Sequence, residues 1–196
     1  MKKILLIAAA ALVSISAFSQ QKFAHINMAE VVQLMPEMDQ ARATMETSQK
    51  EAQETAQGMI DEFQNKYQQY QQKASTWTAA IKDSKEKELT DMQARIQEFE
   101  QSIQAELNQQ QQQLMAPIYK KAQDTVNKLA KESGFIYVFD SSTILYIDPA
   151  QSVDITLIAR KALGIPDGRT LETLQAELQA KAQQEAQAAA PAPAQK

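Results

Sequence analysis

From Pro36 to Ser133, apolar or small residues return in steps of three and four, and that periodicity restricts the stretch to long amphipathic helices. The first half carries Met38, Ala41, Met45, Ala52, Ala56, Met59, Phe63, Tyr67, Tyr70, Ala74, Trp77 and Ile81, with one rung missing at Ser48-Gln49. The second half carries Leu89, Met92, Ile96, Phe99, Ile103, Leu107, Leu114, Ile118, Ala122, Val126 and Leu129. Between the stripes nearly every residue is Gln, Glu, Lys, Ala or Ser. One narrow seam beside a wide wetted surface suits a two-stranded coiled coil better than a bundle helix. The stretch reads as two helices folded back on each other. At 1.5 Å per residue, arms of about 45 residues extend roughly 65–70 Å.

Four Gly and six Pro among 196 residues are few, as long helices require. The chain has no Cys, which excludes a disulfide framework and a thiolate metal site. Its formal charge is −4, and removing the two positive charges of Lys2 and Lys3 with a cleaved leader leaves −6. That balance gives no support to nucleic-acid binding.

The leader is Met1 to Ser19: Lys2-Lys3, an apolar run from Ile4 to Ile15, then Ala17-Phe18-Ser19 with small residues before a cut at Gln20. The apolar run is shorter than the ~20 residues of a membrane span. Nothing later resembles a span, so the mature protein is expected to be soluble and exported, with no stable membrane insertion.

Phe23-Ala24-His25-Ile26-Asn27 alternates like a strand, and Asn27 with Glu30 forms a capping box for a brief helix that Pro36 ends. Gly134 stops the second arm. Phe135 to Phe139 and Thr143 to Ile147 are β-forming runs around Asp140-Ser141-Ser142, and they predict a hairpin closed by Asp148-Pro149. Asp154 or Thr156 caps a last short helix, Ile155 to Leu163. From Asp167 the chain turns rich in Gln and Ala. Leu171, Leu174 and Leu178 can support a short helix there, but the remainder, with Ala190-Pro191-Ala192-Pro193, reads as a flexible tail.

Within the arms, Gly58 is either a tolerated glycine or close-packed seam position, or a point of compliance, and Pro117 should kink the returning helix. The turn is expected at Lys82-Asp83-Ser84-Lys85, with Asp83 and Glu86 as a second capping box. That places Gly58 opposite roughly residue 108, two turns from Pro117. Lys66, Lys73, Lys82, Lys85 and Lys87 make the tip basic. The plain reading is a solvated end, and the functional one is a weak contact with acidic clients or anionic lipid headgroups. Trp77 is either seam core or an outward client contact. Gln109 to Gln113 reads as exposed helix.

Catalysis finds no support. His25 is the only histidine, no nucleophile–base pattern is present, and Asp140, Asp148 and Asp154 stand where turns and caps call for Asp. No catalytic residue, metal or cofactor is expected, and no P-loop couples nucleotide hydrolysis.

The fold class is mainly α with a small β body, a long antiparallel helical hairpin projecting from an oligomeric β-rich base. The divisions are 1–19 leader, 20–35 and 134–166 body, 36–133 arm and 167–196 tail. The body is too small to bury a core by itself, so Phe23, Ile26, Phe135, Tyr137, Phe139, Ile144 and Tyr146 are expected to meet the same segment of other copies in closed symmetry.

Phe23 to Met28, the helical hairpin, Gly134 to Asp140 and Val153-Asp154-Ile155-Thr156, in that order, resemble the Skp/OmpH family of periplasmic chaperones. The resemblance implies a homotrimer with helical tentacles around a cavity, which holds unfolded outer-membrane β-barrel proteins without ATP until assembly. Family members are often strongly basic, whereas this chain has pI ≈ 5.2, which leaves the tip lysines as the source of any charge-driven capture. A structural or adaptor coiled coil of the envelope is the competing reading.

Overall fold

The computed structural model describes residues 22–189, so the expected leader and the Ala-Pro end lie outside the described residues. In chain order the elements are β1 (Phe23–Ile26), α1 (Met28–Leu34), α2 (Pro36–Lys73), a 3₁₀ turn (Ala74–Thr76), α3 (Ala79–Ser133) and β2 (Tyr137–Asp140). A 3₁₀ turn (Ser141–Thr143), β3 (Ser152–Asp154), α4 (Thr156–Ala162) and α5 (Leu171–Ala189) follow. The described residues form two compact units, 37–117 in one and 22–36 with 118–189 in the other, with borders at Pro36 and Pro117.

In the unit of residues 37–117, α2 and α3 run antiparallel, with partners that mirror each other about Trp77 and Thr78. Lys66 pairs with Glu88, Tyr70 with Glu86, and Ala52 shares a groove with Ile103. The turn therefore lies ahead of the expected Lys82–Lys85, which are helical. Lys82 N–H donates to the Thr78 carbonyl at 3.0 Å and Ile81 N–H to Thr78 Oγ1 at 3.4 Å, so Thr78 caps α3. Trp77, extended just before that cap, packs on Tyr70 with ring centroids 5.9 Å apart. That contact fixes the chain reversal where the Asp83–Glu86 pattern cannot. Trp77 is half-buried, and Gln109 to Gln113 is helical.

The corrected register moves Gly58 opposite about residue 97, some 30 Å along the helix from Pro117, so the two are not adjacent soft points. Gly58 is exposed, and a Cβ built there meets nothing within 4 Å. It is not a close-packed seam position. Pro117 lies inside α3, which continues past it.

The second unit is built on a three-stranded sheet ordered β2-β1-β3, with both pairings parallel. This replaces the expected hairpin. Asp140 accepts from Ser142 N–H at 3.0 Å and Ser142 Oγ at 2.9 Å, which turns the chain away after β2. β2 then pairs with β1, Phe23 opposite Tyr137 and His25 opposite Phe139. Residues 144–147 join no strand, and the third strand comes from Ser152–Asp154.

One face of the sheet carries Ala24 and Ile26, both buried with Val31, Val32, Leu34 and Met35 of the α1 segment and with Ile155 and Ala159. Ile118, Ala122 and Val126 belong to the same unit's buried set, so the last part of α3, expected to be arm, serves the body core. Asn27 caps α1 through Glu30 N–H at 3.0 Å, but its own N–H donates to Thr156 Oγ1 at 3.1 Å rather than to Glu30. The Glu30 carboxylate accepts from the Asn27 side-chain amide at 3.3 Å and from Arg160 at 3.0 Å. Gly134 (φ +69°) and Gly164 (φ +73°) end α3 and α4 in the left-handed conformation. Around Gly134, Phe135 N–H reaches the Ala130 carbonyl at 2.9 Å and Gly134 N–H the Lys131 carbonyl at 3.3 Å, a Schellman closure.

Downstream of Asp167 the structure differs from the expected flexible tail. Thr170 and Thr173 cap each other at the start of α5, and Leu174 is only 5 % exposed. Leu171 and Leu178 remain exposed.

Candidate functional site

The tip, in the unit of residues 37–117, joins two of the expected lysines to a group the sequence pattern did not connect with them. Lys66 donates to one oxygen of Glu88, and Lys85 donates to the other at 2.7 Å. Glu62 lies 3.8 Å from Lys66. Hydrogen bonds from Lys66 and then Lys85 hold the Glu88 carboxyl at about 2, and the bond to Glu88 raises Lys66 above the usual lysine range. Tyr70 donates to Glu86, which pushes the phenol up. A cleft of ≈ 270 Å³ is lined by Lys66, Tyr70, Lys73, Trp77, Lys85 and Leu89. Two of the five tip lysines are thus neutralised across or along the hairpin. Glu88 was missed because only the register reveals it. Lys73, Lys82 and Lys87 have no ion-pair partner among the described residues.

Midway along the hairpin the missing rung at Ser48-Gln49 becomes a physical gap. The α2 and α3 backbones stay mostly more than 8 Å apart, and the small side chain of Ala52 cannot fill that space against Phe99, Ile103 and Leu107. A groove opens on each side, of ≈ 630 Å³ and ≈ 430 Å³, and both share these four residues as floor. The smaller groove is walled by Gln49 and Gln53 on α2 and by Gln104, Asn108 and Gln111 on α3. Sequence periodicity could locate the missing rung but not the opposing wall.

In the other unit, the second face of the sheet is bare. Phe23, Tyr137 and Phe139 stack across β1 and β2, with centroids 6.2 Å, 6.4 Å and 5.9 Å apart. Tyr137 is 58 % exposed and Tyr146 78 %, while Leu145 projects fully into solvent. Phe23, Phe139, Ile144, Tyr146 and Ile147 line a ≈ 370 Å³ hollow on this side. Of the residues expected at an interface, Phe23, Tyr137, Phe139, Ile144 and Tyr146 are therefore gathered here. Phe135 is half-buried beside Gly134, and Ile26, 2 % exposed, faces the helices and is not available.

His25, in the same unit, ties β1 to β3: its Nδ1 shares a 2.8 Å hydrogen bond with Ser152 Oγ, and its Nε2 lies 3.9 Å from Asp154. Burial raises the Asp154 pKa, but hydrogen bonds from Thr156 and the His25 charge outweigh it and leave the group below its ordinary value. Asp140, Asp148 and Asp154 each cap a local turn or helix start through Ser142, Ala150 and Thr156 N–H groups at 2.8–3.0 Å. Among the described residues no helix is long and apolar enough to cross a membrane.

A long two-helix hairpin joined in sequence to a small parallel sheet with one bare apolar face defines a coiled-coil protein with a compact β body. Residues 22–163 match the family described as outer membrane protein (OmpH-like). The chain belongs to that OmpH-like family. It is 26 % identical over 143 residues to the chaperone protein Skp of Yersinia enterocolitica, spanning 73 % of this chain and 87 % of the relative. The Skp of Pectobacterium atrosepticum is also 26 % identical, over 159 residues, spanning 80 % and 95 %. Among solved structures, a putative outer membrane chaperone (OmpH-like) from Caulobacter crescentus CB15 shares the fold. Its TM-score is 0.63 at 16 % identity, with 73 % of this chain and 83 % of that one covered.

Proposed function

We propose that the protein is a periplasmic chaperone for outer-membrane proteins, acting as an ATP-independent holdase. In this reading a homotrimer keeps unfolded β-barrel proteins soluble in a cavity between its helical hairpins until membrane assembly. Export follows from the leader at Met1–Ser19. The family membership and the relatives named as chaperones support the role, and the bare sheet face is the observation that carries the oligomer. Parallel sheets are normally covered on both faces. Tyr137, Phe139 and Tyr146 leave roughly 350 Å² of largely apolar side chain uncovered, at about 200 Å² for a full aromatic. A standard interface takes about 800 Å² from each partner, so this face would supply the apolar centre of one made with a second copy, and a polar rim the rest.

Holding without an energy source calls for many weak contacts, whose sum supplies avidity. Gly58 and Pro117 are proposed to let the hairpin yield around clients of different size. At the tip, Trp77 with Lys73, Lys82 and Lys87 is proposed to make a weak contact with clients or anionic lipid headgroups, while Lys66 and Lys85 are held by Glu88.

The test is multi-angle light scattering of the mature protein before and after dilution of a urea-unfolded outer-membrane β-barrel into it, without nucleotide. A trimer that gains the mass of one client supports the reading. An oligomer that leaves the client to aggregate points to a structural coiled coil, and a monomer removes the oligomeric base.

A further inference from the structure

We infer that the smaller groove at the middle of the hairpin is a binding site for an extended, uncharged polypeptide segment, recognised through its backbone. The inference rests on the holdase reading and names where and how that protein would grip a client. The groove has an apolar floor, Phe99, Ile103 and Leu107, and walls of primary amides. Among the described residues, the side-chain amides of Gln49, Gln53, Gln104, Asn108 and Gln111 make no hydrogen bond within the protein, so their donors and acceptors are free to meet a ligand. Glu100 is the one charged residue in the lining.

An extended chain presents the matching chemistry. Its backbone offers uncharged N–H and C=O groups, and on one edge the pattern repeats every two residues, about 6.6–6.8 Å. On the groove walls Gln49 and Gln53, like Gln104 and Asn108, stand four residues apart on a helix, about 6 Å along the axis. Each amide both donates and accepts, so it meets a carbonyl or an N–H equally and does not demand one register. Alternate apolar side chains of the segment would point down onto the floor, taking the space that Ala52 leaves open. A lysine-lined wall would select acidic segments, whereas neutral amides tolerate many sequences. Apart from Glu100 the lining is uncharged, as is the backbone it would meet.

The test follows ¹³C-labelled methionine methyl signals of the full mature protein during titration with a capped ten-residue peptide of alternating leucine and asparagine. Met45 lines the groove and is expected to shift, while Met92, 4 % exposed and outside the groove, stays in place. Gln53→Leu combined with Gln104→Leu is expected to weaken the Met45-detected binding roughly tenfold, as loss of two net hydrogen bonds implies. Both positions are exposed, and an unchanged melting curve verifies the fold. Equal affinity for a peptide with proline in place of each asparagine, which removes backbone donors, would overturn backbone recognition. A Met45 signal that does not move while unfolded β-barrel is still kept soluble overturns the groove and leaves the holdase reading standing. Loss of both overturns the holdase reading, and the groove with it.

Discussion

Lys66 on α2 donates to Glu88 on α3, 22 residues away, and this cross-helix pair marks the register of the hairpin. Lys85 occupies the second Glu88 oxygen at 2.7 Å, so one carboxylate joins both helices next to the turn. Its pKa of about 2 lies below that of an unfolded glutamate, 4.5. A depressed carboxyl contributes stability fully above its unfolded value and loses that contribution as pH falls through its folded value. Protection of the amides near the turn, corrected for the intrinsic pH dependence of exchange, is therefore expected to stay constant from pH 7 to about 5 and to fall progressively toward pH 2. Glu88→Gln should accelerate exchange at neutral pH and flatten the dependence attributable to this site. An unchanged acid profile in the variant would show that the pair does not hold the tip.

Glycines test backbone conformation at two places with opposite sign. Gly58 is exposed in the helix with open space at its Cβ, so Gly58→Ala should raise stability by up to about 1 kcal/mol. It should also narrow spin-label distance distributions across the hairpin. Gly164 also has open space, but its φ is +73°, so Gly164→Ala should cost about 1–2 kcal/mol. Urea unfolding of the two variants checks both signs. A Gly58→Ala variant no more stable than the parent would mean that the helix is strained at that point.

The helical hairpin was legible in the sequence because a 3.6-residue period depends on one chain direction only. Gly134 was legible for a similar local reason, since few residues other than glycine accept φ +69°. The sheet was not. Phe135 to Phe139 and Thr143 to Ile147 announce β propensity but carry no label for a partner, and β2 finds β1 more than a hundred residues away. The turn failed on a competition between two caps, where Asp83–Glu86 fits the pattern but Thr78 wins with Trp77 packed on Tyr70. At the candidate sites the tip lysines were visible, while Glu88 and the groove opposite Ala52 required the facing helix.

Filling the gap at Ala52 should stabilise the hairpin. Ala52→Leu places three more carbons above Phe99 and Ile103, where the grooves offer ≈ 430 Å³ and ≈ 630 Å³. Cavity filling of this kind is worth about 0.5–2 kcal/mol, visible as a rise in melting temperature. A fall would mean that the helices cannot accept added volume at their present spacing.

The helix after Pro166 should behave as part of its unit. Arg160, 9 % exposed, donates to Glu30 and to the Arg169 carbonyl, and Leu174 is 5 % exposed. Leu174→Ala is expected to cost about 2–3 kcal/mol, the lower end for a buried leucine because a terminal helix can shift to close the cavity. Circular dichroism should show α5 melting ahead of the rest. A variant as stable as the parent would return α5 to the flexible tail expected from composition.

The bare sheet face supplies the most direct test of the proposed assembly. Phe139 stacks 5.9 Å from Tyr137 on the uncovered side, whereas Ala24 and Ile26 on the covered side are buried within the protomer. A charge at Phe139 therefore stays hydrated in a monomer but would be desolvated at an interface, at a cost of several kcal/mol. Phe139→Lys should shift the light-scattering mass from trimer to monomer with helical content retained, and it should abolish client holding. Tyr137→Phe, which keeps the ring and removes only the hydroxyl, should leave the trimer intact. If Phe139→Lys remains trimeric, the copies meet through another surface and this face must be covered by something else.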